Sequence, residues 1–127
     1  MSLTQPPELL FVYGTLKRGI SNPWSRLLWA KARFAGCGTL PGKLYDLGPY
    51  PAFVEDAGAA AEVHGEVAEL DDPTLLQQLD RYEGSQYERV LRHVRMEDGS
   101  SRPAWVYVFR SALPRARLIP EGRWPLE

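Results

Sequence analysis

The chain has 127 residues, 44% of them hydrophobic, which is the size of one domain with a single apolar core. A formal net charge of -1, with no stretch apolar enough to cross a bilayer, gives no case for a nucleic-acid or membrane partner. A single cysteine cannot form an internal disulfide and suits a reducing compartment, so we expect a cytoplasmic protein whose one domain spans residues 1–127.

Short strands separated by turns are predicted for the first half of the chain, because eleven glycines and eleven prolines punctuate the sequence. The continuous apolar run Leu9–Tyr13 predicts a strand buried on both faces. Asn22 as a cap and Pro23 in the first turn predict a short helix over residues 24–32. Two strands are then predicted, over residues 38–47 and 52–55, on either side of a turn at residues 48–51.

The second half begins with alternating apolar and polar residues, which predict a half-exposed strand over residues 60–70. A well-marked helix follows, with Asp72 as its cap, Pro73 in its first turn and Gly84 at its end. Its apolar stripe consists of Leu75, Leu76, Leu79 and Tyr82. Two more strands are predicted over residues 87–97 and 104–110, joined by a turn at residues 98–99.

About six strands and two helices in irregular order predict an α+β fold and argue against a doubly wound parallel sheet. We expect a strongly curved or closed, barrel-like sheet with the helices packed at its edge. The Arg- and Pro-rich tail beyond Leu113 is expected to return to the body through Leu118, Ile119 and Trp124.

The sequence offers no pattern for a metal or a cofactor. One cysteine and two histidines, Cys37, His64 and His93, provide no closely spaced pair of the kind that zinc sites use. No acidic loop has the spacing of a calcium site, and no dinucleotide fingerprint is complete. We therefore expect neither metal nor cofactor, and we interpret both histidines as solvent-facing.

The loop Tyr13–Gly19 follows the buried strand and is the first candidate site. It lacks the Lys and Ser/Thr that a phosphate-binding loop carries directly after its second glycine. A turn that contains Gly14 can nevertheless aim consecutive backbone N–H groups at a carboxylate or an oxyanion. The alternative is that Gly14 only permits a tight turn, and the loop alone favours that alternative.

Glu83 is the second candidate, because its position opposes two general rules. It shares the helix face of the core residues Leu76 and Leu79, and it lies in the last turn, where the helix dipole disfavours an anion. Both features raise the pKa of a carboxyl, as a general base requires. Two alternatives stay open: fraying at Gly84 that turns Glu83 to solvent, or neutralisation by Arg81 or Arg89.

Five motifs in order resemble those of the gamma-glutamylcyclotransferase-like family. They are residues 11–19 with Tyr-Gly-Thr-Leu, residues 44–46 with 50–52, residues 63–67, residues 79–84 with 87–89, and residues 104–108. The likeness extends from about Leu9 to Trp124. The short chain and Arg18-Gly19 are most similar to bacterial members and to the gamma-glutamylaminecyclotransferase branch.

The resemblance implies a compact barrel-like fold and an enzyme in which the α-amine of a small gamma-glutamyl substrate attacks its own γ-carbonyl. The products are 5-oxoproline and a released amine or amino acid. The gamma-glutamyl group is then bound by Tyr13, Gly14, Thr15 and Leu16, and Glu83 is the catalytic acid and base.

Two further residues take secondary roles in this interpretation. Tyr107 matches a strand tyrosine that lines the pocket of the family. Arg89 is a candidate to orient Glu83, to meet the substrate carboxylate, or to serve structure alone.

Two other functions remain open at this point. One is a non-catalytic module of the same fold that binds a gamma-glutamyl ligand or serves a stress response. The other is a related cyclising enzyme or lyase that acts on a gamma-glutamyl group attached to a larger molecule. The leaving group of a small substrate (amino acid, lysine-like amine or peptide) and the oligomeric state do not follow from the sequence.

Overall fold

The computed structural model describes residues 8–56, 58, 61–113 and 116–124, so Ala60, where one predicted strand begins, lies outside them. The described residues form seven strands and two helices. In chain order these are β1 Glu8–Val12, α1 Pro23–Lys31, β2 Ala32–Asp46, β3 Pro51–Glu55, β4 Glu62–Leu70, α2 Thr74–Glu83, β5 Tyr87–Met96, β6 Ser101–Phe109 and β7 Arg117–Ile119. Neither helix has the length and apolarity to cross a membrane.

Five of the strands close into a barrel in the order β2, β4, β1, β6, β5 and back to β2. Neighbouring strands are antiparallel except β1 and β6, which are parallel through the pairing of Leu10 with Trp105. The barrel closes where Gly38 of β2 pairs with Met96 of β5. The expectation of an α+β fold with a closed, barrel-like sheet is therefore confirmed.

Strand β2 is longer than predicted, because its first part belongs to the barrel and its last part pairs with β3 outside the barrel. Its segment Ala32–Pro41 pairs with β4, whereas Gly42–Asp46 pairs with β3. At Gly42 the φ angle is 151°, and an added Cβ would lie 2.5 Å from the carbonyl oxygen of Val54. Only glycine fits this position without strain, so it is where the strand changes partners.

The buried strand β1 joins two apolar clusters, because its side chains alternate between its faces. Leu9, Phe11 and Tyr13 belong to the cluster inside the barrel. Leu10 and Val12 belong to the cluster between the barrel and the two helices. The prediction of a strand buried on both faces is confirmed.

The helix α2 begins one residue later than predicted. Pro73, not Asp72, occupies its N-cap position, and Pro73 makes no side-chain capping bond. The Asp72 carboxylate instead accepts a hydrogen bond of 3.0 Å from the backbone N–H of Thr74. Asp72 thus satisfies an N–H group of the first turn from one position further out.

The C-terminal segment returns to the barrel, as expected, but through fewer residues. Ile119 is buried and Trp124 packs against the barrel interior, whereas Leu118 is 43% exposed because adjacent strand residues face opposite sides. The carbonyl oxygen of Gly122 accepts a hydrogen bond of 2.8 Å from the N–H of His64. The prediction that His64 faces solvent is therefore wrong in part, since this residue is half-buried.

Gly42→Ala should destabilise the fold more than Gly99→Ala, although both glycines have a positive φ. An added Cβ at Gly99 meets open space, so that variant bears only backbone strain of about 1–2 kcal/mol. At Gly42 the contact with the Val54 carbonyl adds roughly 1–3 kcal/mol. Urea unfolding of both variants measures the difference, and equal losses would contradict the described path of β2.

Candidate functional site

A small cavity opens where the end of β1 meets the end of α2 and the start of β5. It holds about 310 Å³ not filled by atoms, part of it open to solvent. Its lining consists of Phe11, Val12, Tyr13, Gly14, Thr15, Leu16, Tyr50, Pro51, Glu83, Tyr87 and Tyr107. The two candidate features of the sequence, the loop after β1 and Glu83, thus border the same cavity.

Glu83 is the last residue of α2 and lies on its buried face. Leu76 and Leu79 on that face pack into the cluster beneath the helix. Burial, and after it the nearby negative charge of Asp80, together raise the pKa of the Glu83 carboxyl from 4.5 to about 7. The carboxyl is therefore half-ionised near neutral pH, where a group can both accept and return a proton.

Arg89, considered above as a partner of Glu83, binds Asp80 instead. Its Nε donates to Oδ1 of Asp80 at 2.7 Å and a terminal nitrogen donates to Oδ2 at 3.1 Å. The guanidinium also lies 4.5 Å from the ring centre of Trp105. Arg89 is absent from the lining of the cavity and borders an adjacent open cleft, so neutralisation of Glu83 by Arg89 does not occur in this structure.

Asp80 stays charged beside the cavity because two donors hold it. Burial raises the pKa of the Asp80 carboxyl, but hydrogen bonds from Arg89 and Tyr107 outweigh burial and keep that pKa below its usual range. The Tyr107 hydroxyl donates to Oδ1 of Asp80 at 2.7 Å. Burial, followed by this bond, raises the pKa of Tyr107, so the phenol remains a donor.

Tyr13 and Tyr107 are fixed to one another at the wall of the cavity. The Tyr13 hydroxyl donates to the backbone carbonyl of Tyr107 at 2.6 Å, and its ring is buried in the barrel interior. The Tyr107 ring belongs to the cluster on the other side of the strand layer. The hydroxyl of Tyr13 thus links the end of β1 to β6 and is not available as a donor to a ligand, while the hydroxyl of Tyr107 links the cavity wall to Asp80.

Gly14 allows the loop to approach the start of β3. An added Cβ there would lie 2.7 Å from Cγ of Pro51, which is too close for any other residue. The loop turns directly after this contact, since the carbonyl of Gly14 accepts from the N–H of Lys17 at 3.0 Å. The Thr15 hydroxyl is 2.9 Å from the Tyr82 hydroxyl, which ties the loop to α2.

Five lining residues were not predicted as site residues: Phe11 and Val12 at the end of β1, and Tyr50, Pro51 and Tyr87 on the opposite side. The Tyr87 hydroxyl donates to the carbonyl of Pro51 at 2.8 Å, and the Tyr50 and Tyr87 rings lie 6.4 Å apart in an edge arrangement. Together they form the wall that faces the loop. The sequence contained a signal for them, since Tyr50, Pro51 and Tyr87 all fall within the motifs that carried the family resemblance.

A larger cleft, with about 1030 Å³ not filled by atoms, lies on the outer face of β2 and β4, but its groups carry less chemistry. Several of its charged groups are engaged: Thr39 donates to Glu62 at 2.6 Å and Lys17 donates to the carbonyl of Trp124 at 2.9 Å. Burial raises the pKa of the Cys37 thiol, which disfavours a thiolate. We therefore assign the candidate site to the smaller cavity, which holds the perturbed carboxyl.

A metal site needs several His, Cys, Asp or Glu side chains that converge on one point. Across the described ranges, no set of three or more His, Cys, Asp and Glu residues is arranged to hold a metal ion. The cavity lining combines one carboxyl with a threonine, four tyrosines, apolar side chains and the loop backbone. Their arrangement is suited to proton transfer and to binding of a small polar group.

Comparisons with known proteins identify the family of the chain. The family model described as "Gamma-glutamyl cyclotransferase, AIG2-like" matches residues 10–126. A Vibrio cholerae protein named "Putative gamma-glutamylcyclotransferase" is 37% identical over 124 residues, which cover 92% of this chain and 95% of the relative. The Escherichia coli K12 protein "Gamma-glutamylcyclotransferase family protein YtfP" is 35% identical over 119 residues, covering 91% and 94%.

A solved structure gives the same result for the fold. The crystal structure of a mouse AIG2-like protein superposes with a TM-score of 0.79 at 29% identity, covering 95% of this chain and 90% of that one. The family model, these relatives and this neighbour extend over nearly the whole chain, as do the motifs in the sequence. The chain therefore belongs to the gamma-glutamyl cyclotransferase, AIG2-like family.

Proposed function

We propose that the protein cyclises the gamma-glutamyl group of a small gamma-glutamyl amine or amino acid to 5-oxoproline. The observation that carries this proposal is the half-buried Glu83, whose carboxyl pKa is raised to about 7, in one cavity with the loop Tyr13–Leu16. A carboxyl in this state is a proton acceptor at neutral pH, and the loop offers backbone donors. Membership of the family supports the substrate class.

Glu83 moves the protons in the proposed reaction. Its carboxylate accepts a proton from the α-ammonium of the substrate, and the free amine attacks the γ-carbonyl carbon within the same molecule. Glu83 then donates that proton to the departing nitrogen as the carbon–nitrogen bond breaks. The ring nitrogen loses a second proton, which leaves with the released amine as its ammonium, so charge and atoms balance.

The loop supplies the second requirement, which is stabilisation of negative charge on the γ-carbonyl oxygen. This charge appears when the amine adds to the carbonyl and disappears when the ring product forms. Backbone N–H groups of the loop Tyr13–Leu16 are the proposed donors to this oxygen. The rings of Tyr50, Tyr87 and Tyr107 limit access of water, which strengthens these hydrogen bonds.

Glu83→Gln should lower turnover by about 10²–10⁴-fold, because the amide cannot accept the proton of the α-ammonium. The measurement is release of 5-oxoproline from a panel of gamma-glutamyl amino acids, alkylamines and peptides. Glu88→Gln is the matched control, since Glu88 is an exposed carboxylate on β5 that pairs with Arg110. The control should turn over within twofold of the wild type.

The same panel separates the alternative functions. A wild-type protein that is inert toward every member but binds one of them would contradict the enzyme and support a ligand-binding module. Turnover confined to the largest substrates would support an enzyme that acts on a gamma-glutamyl group of a larger molecule.

Glu83→Gln should also change how stability depends on pH. The pKa of Glu83 is higher in the folded state than in the unfolded chain, so folded molecules bind more protons between these values and lose stability as pH rises. The variant lacks this loss. It should match the wild type at pH 4 and exceed it by up to roughly 3 kcal/mol at pH 8, as measured by urea unfolding. If the difference in unfolding free energy between variant and wild type did not change with pH, the pKa of Glu83 would be the same in the folded and unfolded states, and this prediction would be wrong.

Asp80→Asn should shift the pH profile of turnover. In the wild type, turnover should rise with pH through about 7, since the base must be deprotonated. The variant removes the like charge that raises the pKa of Glu83 and leaves the Arg89 cation without its carboxylate partner. Both changes lower the pKa of Glu83, so the rising limb should move to lower pH. A shift to higher pH would contradict the assigned electrostatics.

A further inference from the structure

Two consecutive carbonyl groups of the loop are held by side chains from the region of α1. The carbonyl of Thr15 accepts a hydrogen bond of 2.8 Å from Nδ2 of Asn22, and the carbonyl of Leu16 accepts one of 2.8 Å from Nε1 of Trp29. Neither Asn22 nor Trp29 lines the cavity, whereas Thr15 and Leu16 do. The loop carbonyls therefore point to donors that lie outside the cavity.

The direction of a carbonyl determines the direction of the next N–H group. A trans peptide is planar, and its C=O and N–H bonds point in opposite directions. The bond from Asn22 to the Thr15 carbonyl thus sets the direction of the Leu16 N–H. In the same way, the bond from the N–H of Lys17 to the Gly14 carbonyl sets the direction of the Thr15 N–H. Trp29 acts on this second N–H indirectly. Its bond to the Leu16 carbonyl holds the peptide that carries the Lys17 N–H, which in turn holds the Gly14 carbonyl.

The two N–H groups set in this way are available. In the part of the chain that the structure describes, the N–H groups of Thr15 and Leu16 donate to no protein acceptor. Thr15 and Leu16 both line the cavity, so an N–H of theirs that finds no acceptor in the protein can donate to a ligand or solvent oxygen there.

We propose that Asn22 and Trp29 are positioning residues, which hold the loop so that the N–H groups of Thr15 and Leu16 form a two-donor cradle for a substrate oxygen. This inference rests on the proposed function and specifies how the loop performs its part. Preorganised donors stabilise a developing charge because they need no reorientation during the reaction.

Asn22 also caps helix α1, so an experiment must separate the loss of the cap from the loss of the bond to the loop. Its Oδ1 accepts from the N–H groups of Trp24 and Ser25, at 3.0 and 2.8 Å, and so caps α1. Aspartate and serine are good caps as well, but neither has an amide N–H to donate. Asn22→Asp and Asn22→Ser therefore keep the cap and lose the bond to the Thr15 carbonyl. Agreement between the charged and the neutral variant excludes an effect of added charge.

Trp29→Phe tests the second bond. Phenylalanine keeps an aromatic ring next to Phe34, whose ring centre is 6.3 Å from that of Trp29, but has no N–H. Trp124→Phe is the matched control, because it makes the same exchange in a tryptophan that packs against the barrel interior and lines no part of the cavity.

The kinetic test uses the best substrate of the panel with these four variants. Asn22→Asp, Asn22→Ser and Trp29→Phe should each lower kcat by about 10- to 100-fold, with KM changed less than threefold. Trp124→Phe should keep kcat within twofold. Thermal unfolding checks that the two Asn22 variants retain the fold.

The second measurement does not depend on turnover. Titration of ¹⁵N-labelled protein with 5-oxoproline should shift the amide protons of Thr15 and Leu16 downfield in the wild type, and less in Asn22→Ser and Trp29→Phe. If the wild type turns substrate over and the variants keep its kcat and its amide shifts, the inference is wrong and the proposed function stands. If activity falls only in proportion to the folded fraction, the roles are structural and the inference is also wrong.

If the wild type is inert on the whole panel, the proposed function fails by itself. The titration then decides the cradle: shifts that depend on Asn22 and Trp29 support it, and unchanged amides overturn it.

Discussion

The ion pair between Asp80 and Arg89 determines how much charge remains at the cavity. Both carboxyls, Asp80 and Glu83, lie on α2 one turn apart, and Arg89 on the adjacent strand binds one of them with two hydrogen bonds. A guanidinium held against the Trp105 ring and the Asp80 carboxylate cannot also neutralise Glu83. If Arg89 bound Glu83 instead, the pKa of the Glu83 carboxyl would be low. The Glu83 carboxylate would then be a poor base at neutral pH.

The un-neutralised Glu83 carboxyl lowers the stability of the fold, and apolar packing of the same helix offsets this loss. A carboxyl whose pKa is raised by burial destabilises the folded state whenever it is ionised. The same helix buries Leu75, Leu76 and Leu79, each worth about 1.5–3 kcal/mol in apolar burial. These leucines hold α2 against the barrel, so the helix cannot readily turn Glu83 to solvent. The leucines thus make a half-buried carboxyl without a cationic partner tolerable in this position.

The sequence predicts the local features of the site better than the contacts between distant segments. The period of α2 placed Glu83 on the face of the leucines, because helix geometry is set by near neighbours. The sequence could not choose between Arg81 and Arg89 as partners of a carboxyl, since that choice depends on how β5 lies beside α2. It also could not show the pairing of Gly38 with Met96 that closes the barrel, or the three-residue strand β7, which is too short for a periodic pattern.

Strand direction explains why the separate parts of the site meet. Strands β1 and β6 are parallel, so the loop after β1 and Tyr107 near the end of β6 lie at the same end of the barrel. Strand β5 is antiparallel to β6, so its first residue, Tyr87, lies at that end too. The short connection from α2 to β5 then brings Glu83 there. If β1 and β6 were antiparallel, then β6, β5 and the end of α2 would all be reversed relative to β1. The loop after β1 and Glu83 would then lie at opposite ends of the barrel. The single parallel contact in the barrel is therefore the topological condition for a cavity that combines backbone donors with a proton-accepting carboxyl.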